Sequence, residues 1–151
     1  MKSAPTVIIV ETTIHAPVEE VWTYWTSPEH IIHWNAASDD WHTPRAENDL
    51  RVGGKFLARM EARDGSFGFD FEGIYDVVRV NELITYHLED ERKITVCFTS
   101  EGGKTTVTET FDAETENSVE LQEAGWQAIL DNFKKYVESL QATFPGGGDI
   151  R

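Results

Sequence analysis

The stretch KFLARMEARDGSFGFDFEG, residues 55–73, constrains the fold more tightly than any other part of the chain. Asp64-Gly65 at its centre is a strong turn dipeptide between two alternating runs. Folding the chain there opposes Met60 to Phe69, Ala58 to Phe71 and Phe56 to Gly73, all on one face. On the other face Arg59 meets Asp70, an opposite-charge cross-strand pair. One residue of slip would put the aromatic set in water, so the register is specified by the pattern itself.

The segments that follow extend the same logic. A three-residue loop at Asp90–Arg92 opposes Leu88 to Ile94, Tyr86 to Val96 and Ile84 to Phe98. A turn at Gly102-Gly103 opposes Phe98 to Val107, Val96 to Glu109 and Ile94 to Phe111. Thr95, Cys97, Thr99, Thr106, Thr108 and Thr110 fall on the opposite, solvated face. The pattern is an antiparallel meander with one apolar side, and that side needs a cover.

The cover is the segment at 117–140, where Trp126, Ile129, Leu130, Phe133, Val137 and Leu140 form a helical stripe. Near the N-terminus, TVIIVETTI (6–14) reads as a strand. A helix starts at Pro17 with Val18, Val21, Trp22 and Trp25 on one face, and a second short helix follows Ser27 with Pro28 at its first position. The expected fold class is α+β. A curved antiparallel sheet of six or seven strands wraps a long C-terminal helix, with two short helices after the first strand. One domain is expected over 1–144, followed by a disordered tail at 145–151.

Composition narrows the function. Thirteen basic against twenty-seven acidic residues give a net charge of −14, which argues against nucleic acid and against anionic membrane surfaces. The single cysteine, Cys97, excludes an internal disulfide and fits a reducing, cytoplasmic compartment. The N-terminal apolar run is too short for a signal peptide, and no stretch approaches the length of a membrane helix.

Two places hold chemistry-bearing residues. In HWNAASDDWHTP (33–44), which lacks a clean helix or strand period, His33, Asp39, Asp40 and His42 lie close together, with His30 one turn earlier. Their spacing matches no strong metal template, so no metal is expected. The segment reads instead as a loop whose Trp34 and Trp41 either rim a pocket or plug the end of the sheet. The second place is Glu109, which the register points inward between Val107 and Phe111. A buried carboxylate is costly unless partnered. Tyr75 and Tyr86 on the same inward row are the candidate partners; the alternative is a strand-end glutamate reaching water. Gly125 inside the long helix is there for close packing or to leave room, and Gly53-Gly54 marks a turn or bulge.

The segments IHAPVEEVWTYWTSPEHIIHWN, DLRVGGKF, FDFEGIY and GWQAILDNFKKYVE resemble, in this order, the family named for the activator of Hsp90 ATPase, in its single-domain bacterial form. The resemblance runs over about residues 6–140. It implies the helix-grip fold of the START/Bet v 1-like (SRPBCC) superfamily, whose members hold hydrophobic small molecules between sheet and helix, with a minority acting as cyclases or hydrolases. In the eukaryotic activators this domain is the C-terminal half of a two-domain protein, and a chain of 151 residues is too short to carry the other half.

The leading expectation is a protein that holds a hydrophobic or amphipathic small molecule without a cofactor. The expected lining is Trp34, Trp41, Phe56, Ala58, Met60, Phe69, Phe71, Tyr75, Tyr86, Val96, Glu109, Trp126 and Ile129. Two alternatives stand beside it: an enzyme using Glu109 with Tyr75 or Tyr86 for proton transfer, and a chaperone-cofactor module. Monomer and homodimer both remain open.

Overall fold

The hairpin at Asp64-Gly65 forms with the expected register: Met60 pairs with Phe69, Ala58 with Phe71, Phe56 with Gly73 and Arg59 with Asp70. Its loop is wider than two residues, because the Ala62 N–H donates to Phe67 O and Gly65 alone takes positive φ. The structure is a computed structural model and describes residues 6–142. The tail expected to be disordered, 145–151, lies outside the described residues.

The elements in chain order are β1 (Val7–Ile14), α1 (Val18–Thr26), α2 (Pro28–Trp34), β2 (Trp41–Asn48), β3 (Lys55–Ala62), β4 (Gly68–Arg79), β5 (Leu83–His87), β6 (Lys93–Glu101), β7 (Lys104–Asp112) and α3 (Val119–Ala142). The strands form one antiparallel sheet in the order β1-β7-β6-β5-β4-β3-β2. The two-helix insertion therefore sends the chain from one edge of the sheet to the other.

Two local readings are corrected. The β5–β6 loop is Glu89–Glu91, because the Leu88 N–H donates to Arg92 O and Glu91 takes φ 75°. Tyr86 therefore pairs with Ile94, and Ile84 with Val96. A one-residue shift of the loop moved the register by two, so every side chain kept its face. The expected loop at 33–44 also shrinks: Trp34 ends α2, and Trp41 begins the edge strand β2. Pairing in β2 slips between His42 and Arg45, at Thr43-Pro44, and this irregularity erases the alternation that marks a strand.

The dense core lies at one end of the sheet. Val21 and Trp22 of α1, Trp34 of α2, and Leu130, Phe133 and Val137 of α3 are buried against Ile8, Val10, Ile14, Phe98, Val107 and Phe111. Phe133 is edge-on to both Trp25 and Trp34, at 4.9 and 4.7 Å between centroids. Polar ties fix α3 in this position. Lys134 Nζ donates to Thr13 O at 2.6 Å, Glu138 accepts from the His15 N–H at 2.9 Å, and Asn132 Nδ2 donates to Trp34 O at 2.9 Å. Among the described residues no helix is long and apolar enough to cross a membrane.

Candidate functional site

Helix α3 packs mainly on β1, with smaller contacts to α1 and α2. Its N-terminal half stands off the concave faces of β3, β4 and β5. Between them lies a cavity of about 460 Å³, within the size range of small-molecule sites. Phe56, Ala58 and Met60 of β3 line it, with Phe69, Phe71 and Tyr75 of β4 and Tyr86 of β5. Glu109 of β7 and Trp126 and Ile129 of α3 complete the opposite wall, and Trp34 closes one end.

The wall is largely aromatic. The rings of Phe56 and Tyr86 meet edge-to-face at 4.6 Å. They do so over Gly73, where an added Cβ would come within 2.9 Å of each ring. Trp126 stacks on Phe111 at 3.8 Å and stands edge-on to Phe71 at 6.1 Å. Trp34 is buried rather than at a rim: it stacks on Trp25 at 5.0 Å, and its indole N–H donates to Tyr24 O at 3.0 Å. Its polar atom is thus satisfied and only its apolar surface faces the cavity.

Two expected residues are not brought to this wall. Trp41 packs edge-on against Phe67 and Phe69 near the start of the edge strand. Val96 is fully buried between Ile84 and Glu109 and does not line the cavity. Gly125 does line the cavity, and an added Cβ there would meet nothing within 4 Å. Close packing is therefore not what this mid-helix glycine serves.

Glu109 sits where the alternation along β7 directs it, paired with Val96 across the sheet and only 5% exposed. Among the described residues its carboxyl has no hydrogen-bond partner. Burial pushes its pKa up to about 8. Of the two phenols on the same row, Tyr75 donates to Asn48 Oδ1 at 2.6 Å and is thereby occupied. The Tyr86 hydroxyl has no hydrogen-bond partner among the described residues; burial, then the nearby Glu109 and Tyr75, push its pKa up. The cavity thus holds two unpartnered polar groups, Glu109 and Tyr86, in apolar surroundings. Such a pair can orient one polar group of a ligand, or exchange a proton with it near neutral pH.

Several lining residues escaped the sequence reading. Leu121 and Gln122 extend the stripe of α3 one turn toward its N-terminus, so helical spacing back from Trp126 and Ile129 would have found them. Arg92, Glu114 and Asn117 lie outside the regular elements and are brought to the cavity by the tertiary fold, and no local pattern marks them. Arg92 is tied to Asp90 at 2.7 Å. Asn48 was missed as the partner of Tyr75 because it belongs to the irregular strand β2.

The histidines of the early segment go elsewhere. His30 Nδ1 lies 2.7 Å from the Tyr136 hydroxyl, His33 stacks on the Tyr136 ring, and His42 lies 3.9 Å from Glu61. Asp39 and Asp40 are exposed. Among the described residues no three His, Cys, Asp or Glu side chains converge as a metal site would require.

A curled antiparallel sheet gripping a long C-terminal helix is the helix-grip, START/Bet v 1-like class. Within it, the chain belongs to the family described as Activator of Hsp90 ATPase homolog 1-like protein, which matches residues 15–138. It is 48% identical to an AHSA1-like protein from Aeromonas hydrophila solved in solution, with a TM-score of 0.84 over 90% of this chain and 94% of that one. It is 50% identical to Chr148 from Cytophaga hutchinsonii, with a TM-score of 0.77 over 89% and 94%. Protein NE0264 from Nitrosomonas europaea, at 19% identity and a TM-score of 0.78 over 93% and 99%, shares the fold. No curated protein matches the chain.

Proposed function

We propose that this protein binds a hydrophobic or amphipathic small molecule in the cavity between the sheet and α3. The observation that carries the reading is a carboxyl 95% removed from solvent, unpartnered among the described residues, on the wall of an aromatic cavity. An unpaired buried carboxylate destabilises a fold, and such groups concentrate at functional sites. Gly125 supports the same reading, because a mid-helix glycine is destabilising and here leaves space rather than contact. Native mass spectrometry of the freshly purified protein tests the proposal. A small-molecule adduct released by denaturation is expected. A bare chain, with no uptake of added hydrophobic compounds, would refute it.

A second reading is favoured by one observation, the Glu109 carboxyl held near 8. At neutral pH it carries a transferable proton, so the cavity suits proton transfer on a bound substrate. Glu109 would act alone or with Tyr86, since Tyr75 is engaged by Asn48. A chaperone-cofactor role follows only from the family's name, and a pull-down with an Hsp90 homologue tests it. The single cysteine, half-buried on the outer face, supports a cytoplasmic setting.

A further inference from the structure

We infer that the cavity takes an amine: an organic ammonium with an aromatic or aliphatic body, its nitrogen held by Glu109. The inference rests on the ligand-binding reading above and specifies its chemistry.

Glu109 sets the polarity of the deep wall. An ionised carboxylate only accepts hydrogen bonds, so a ligand that relieves it must donate. A donor that also carries positive charge relieves it best, because charge-assisted hydrogen bonds are roughly twice as strong as neutral ones. The aromatic surroundings act in the same direction. Phe56, Phe71, Tyr86 and Trp126 line the cavity, and an aromatic ring attracts a cation at its face.

The reverse polarity is poorly served. Arg92 is the one basic residue among those lining the cavity; it directly follows the β5–β6 loop, and its guanidinium is engaged by Asp90. A ligand carboxylate at the deep end would meet Glu109 and no cation. The net charge of −14 also favours the approach of cations over anions.

The other titratable groups on the wall are Tyr75, Tyr86, Arg92 and Glu114. Burial holds both tyrosines neutral through the alkaline range, and the Asn117 N–H holds Glu114 ionised. Glu109 is thus the wall group that changes charge near pH 8.

The test compares three probes of one shape: 4-phenylbenzylamine, 4-phenylbenzyl alcohol and biphenyl-4-carboxylate. Each displaces the uncharged dye N-phenyl-1-naphthylamine from the intact protein at about pH 8.5, where Glu109 is mostly ionised and the amine still protonated. The amine is expected to bind roughly tenfold tighter than the alcohol, the low end of what a charged hydrogen bond gives. The carboxylate is expected to bind weakest. Glu109→Gln is expected to erase the gap between amine and alcohol, since glutamine keeps the shape and removes the charge. Alcohol or carboxylate binding as tightly as the amine, or a gap that survives Glu109→Gln, would overturn the inference while leaving ligand binding intact. Failure of the dye and all three probes would overturn both.

Discussion

Replacing Glu109 by glutamine removes one buried charge and almost nothing else, so its effect on stability follows from the position of the carboxyl. Burial raises its pKa from an ordinary 4.5 to about 8. The folded state therefore holds the proton more tightly than the unfolded chain does. The wild type feels no penalty below about pH 4.5, loses stability as pH rises, and levels off above about pH 8. Each pH unit in that window corresponds to about 1.4 kcal/mol, so the penalty reaches about 3 kcal/mol at pH 7 and about 5 kcal/mol above pH 8. These figures are ceilings, because any hydration of the carboxylate lowers them. Even half the neutral value is a large share of a typical domain's stability. Urea unfolding of both proteins from pH 4 to 9 measures it. Glu109→Gln is expected to match the wild type near pH 4 and to exceed it increasingly up to pH 8. A stability difference that does not change with pH would refute the placement of this carboxyl as buried and unpartnered.

Gly125→Ala is expected to stabilise the empty protein by about 1 kcal/mol in urea unfolding, since the new methyl enters open space; destabilisation would mean that the helix is crowded there. Phe133→Ala, at a position with no solvent exposure, is expected to cost about 3–5 kcal/mol, and a loss under about 1 kcal/mol would contradict the core assignment. Glu138 sits at about 2: burial pushes it up, but Lys134 and His15 outweigh that and hold the carboxylate ionised. Glu138→Gln is thus expected to lose about 1 kcal/mol at pH 7, after allowance for solvent screening, and the loss should fade as pH drops from about 4.5 toward 2. A loss that persists unchanged in acid would assign it to packing.

The sheet was legible in the sequence where alternation was strict. Phe69, Phe71, Met60 and Ala58 took their faces from one turn dipeptide. Glu109 took its face from its neighbours Val107 and Phe111. Legibility failed where backbone geometry departs from the pattern. Glu91 occupies the left-handed region without being glycine, which displaced the β5–β6 register by two residues. Thr43-Pro44 interrupts β2, which hid both the strand and Asn48 as the partner of Tyr75. The position of Trp34 was unreadable for a different reason: its packing, stacked on Trp25 and edge-on to Phe133, depends on how α1, α2 and α3 meet, and no local spacing encodes that. The clustered His and Asp of the early segment carry no site among the described residues, and the one deeply buried carboxyl on the cavity wall stands some seventy residues later, in β7.

The most direct test of a ligand-binding cavity is chemical-shift mapping. Isotope-labelled protein is titrated with N-phenyl-1-naphthylamine while backbone and methyl signals are followed. Saturable shifts are expected at Ala58, Met60, Phe71, Trp126 and Ile129, which line the cavity, with little change at Thr95, Cys97 and Thr108 on the outer face. Shifts centred on the outer face, or none at all, would contradict the account.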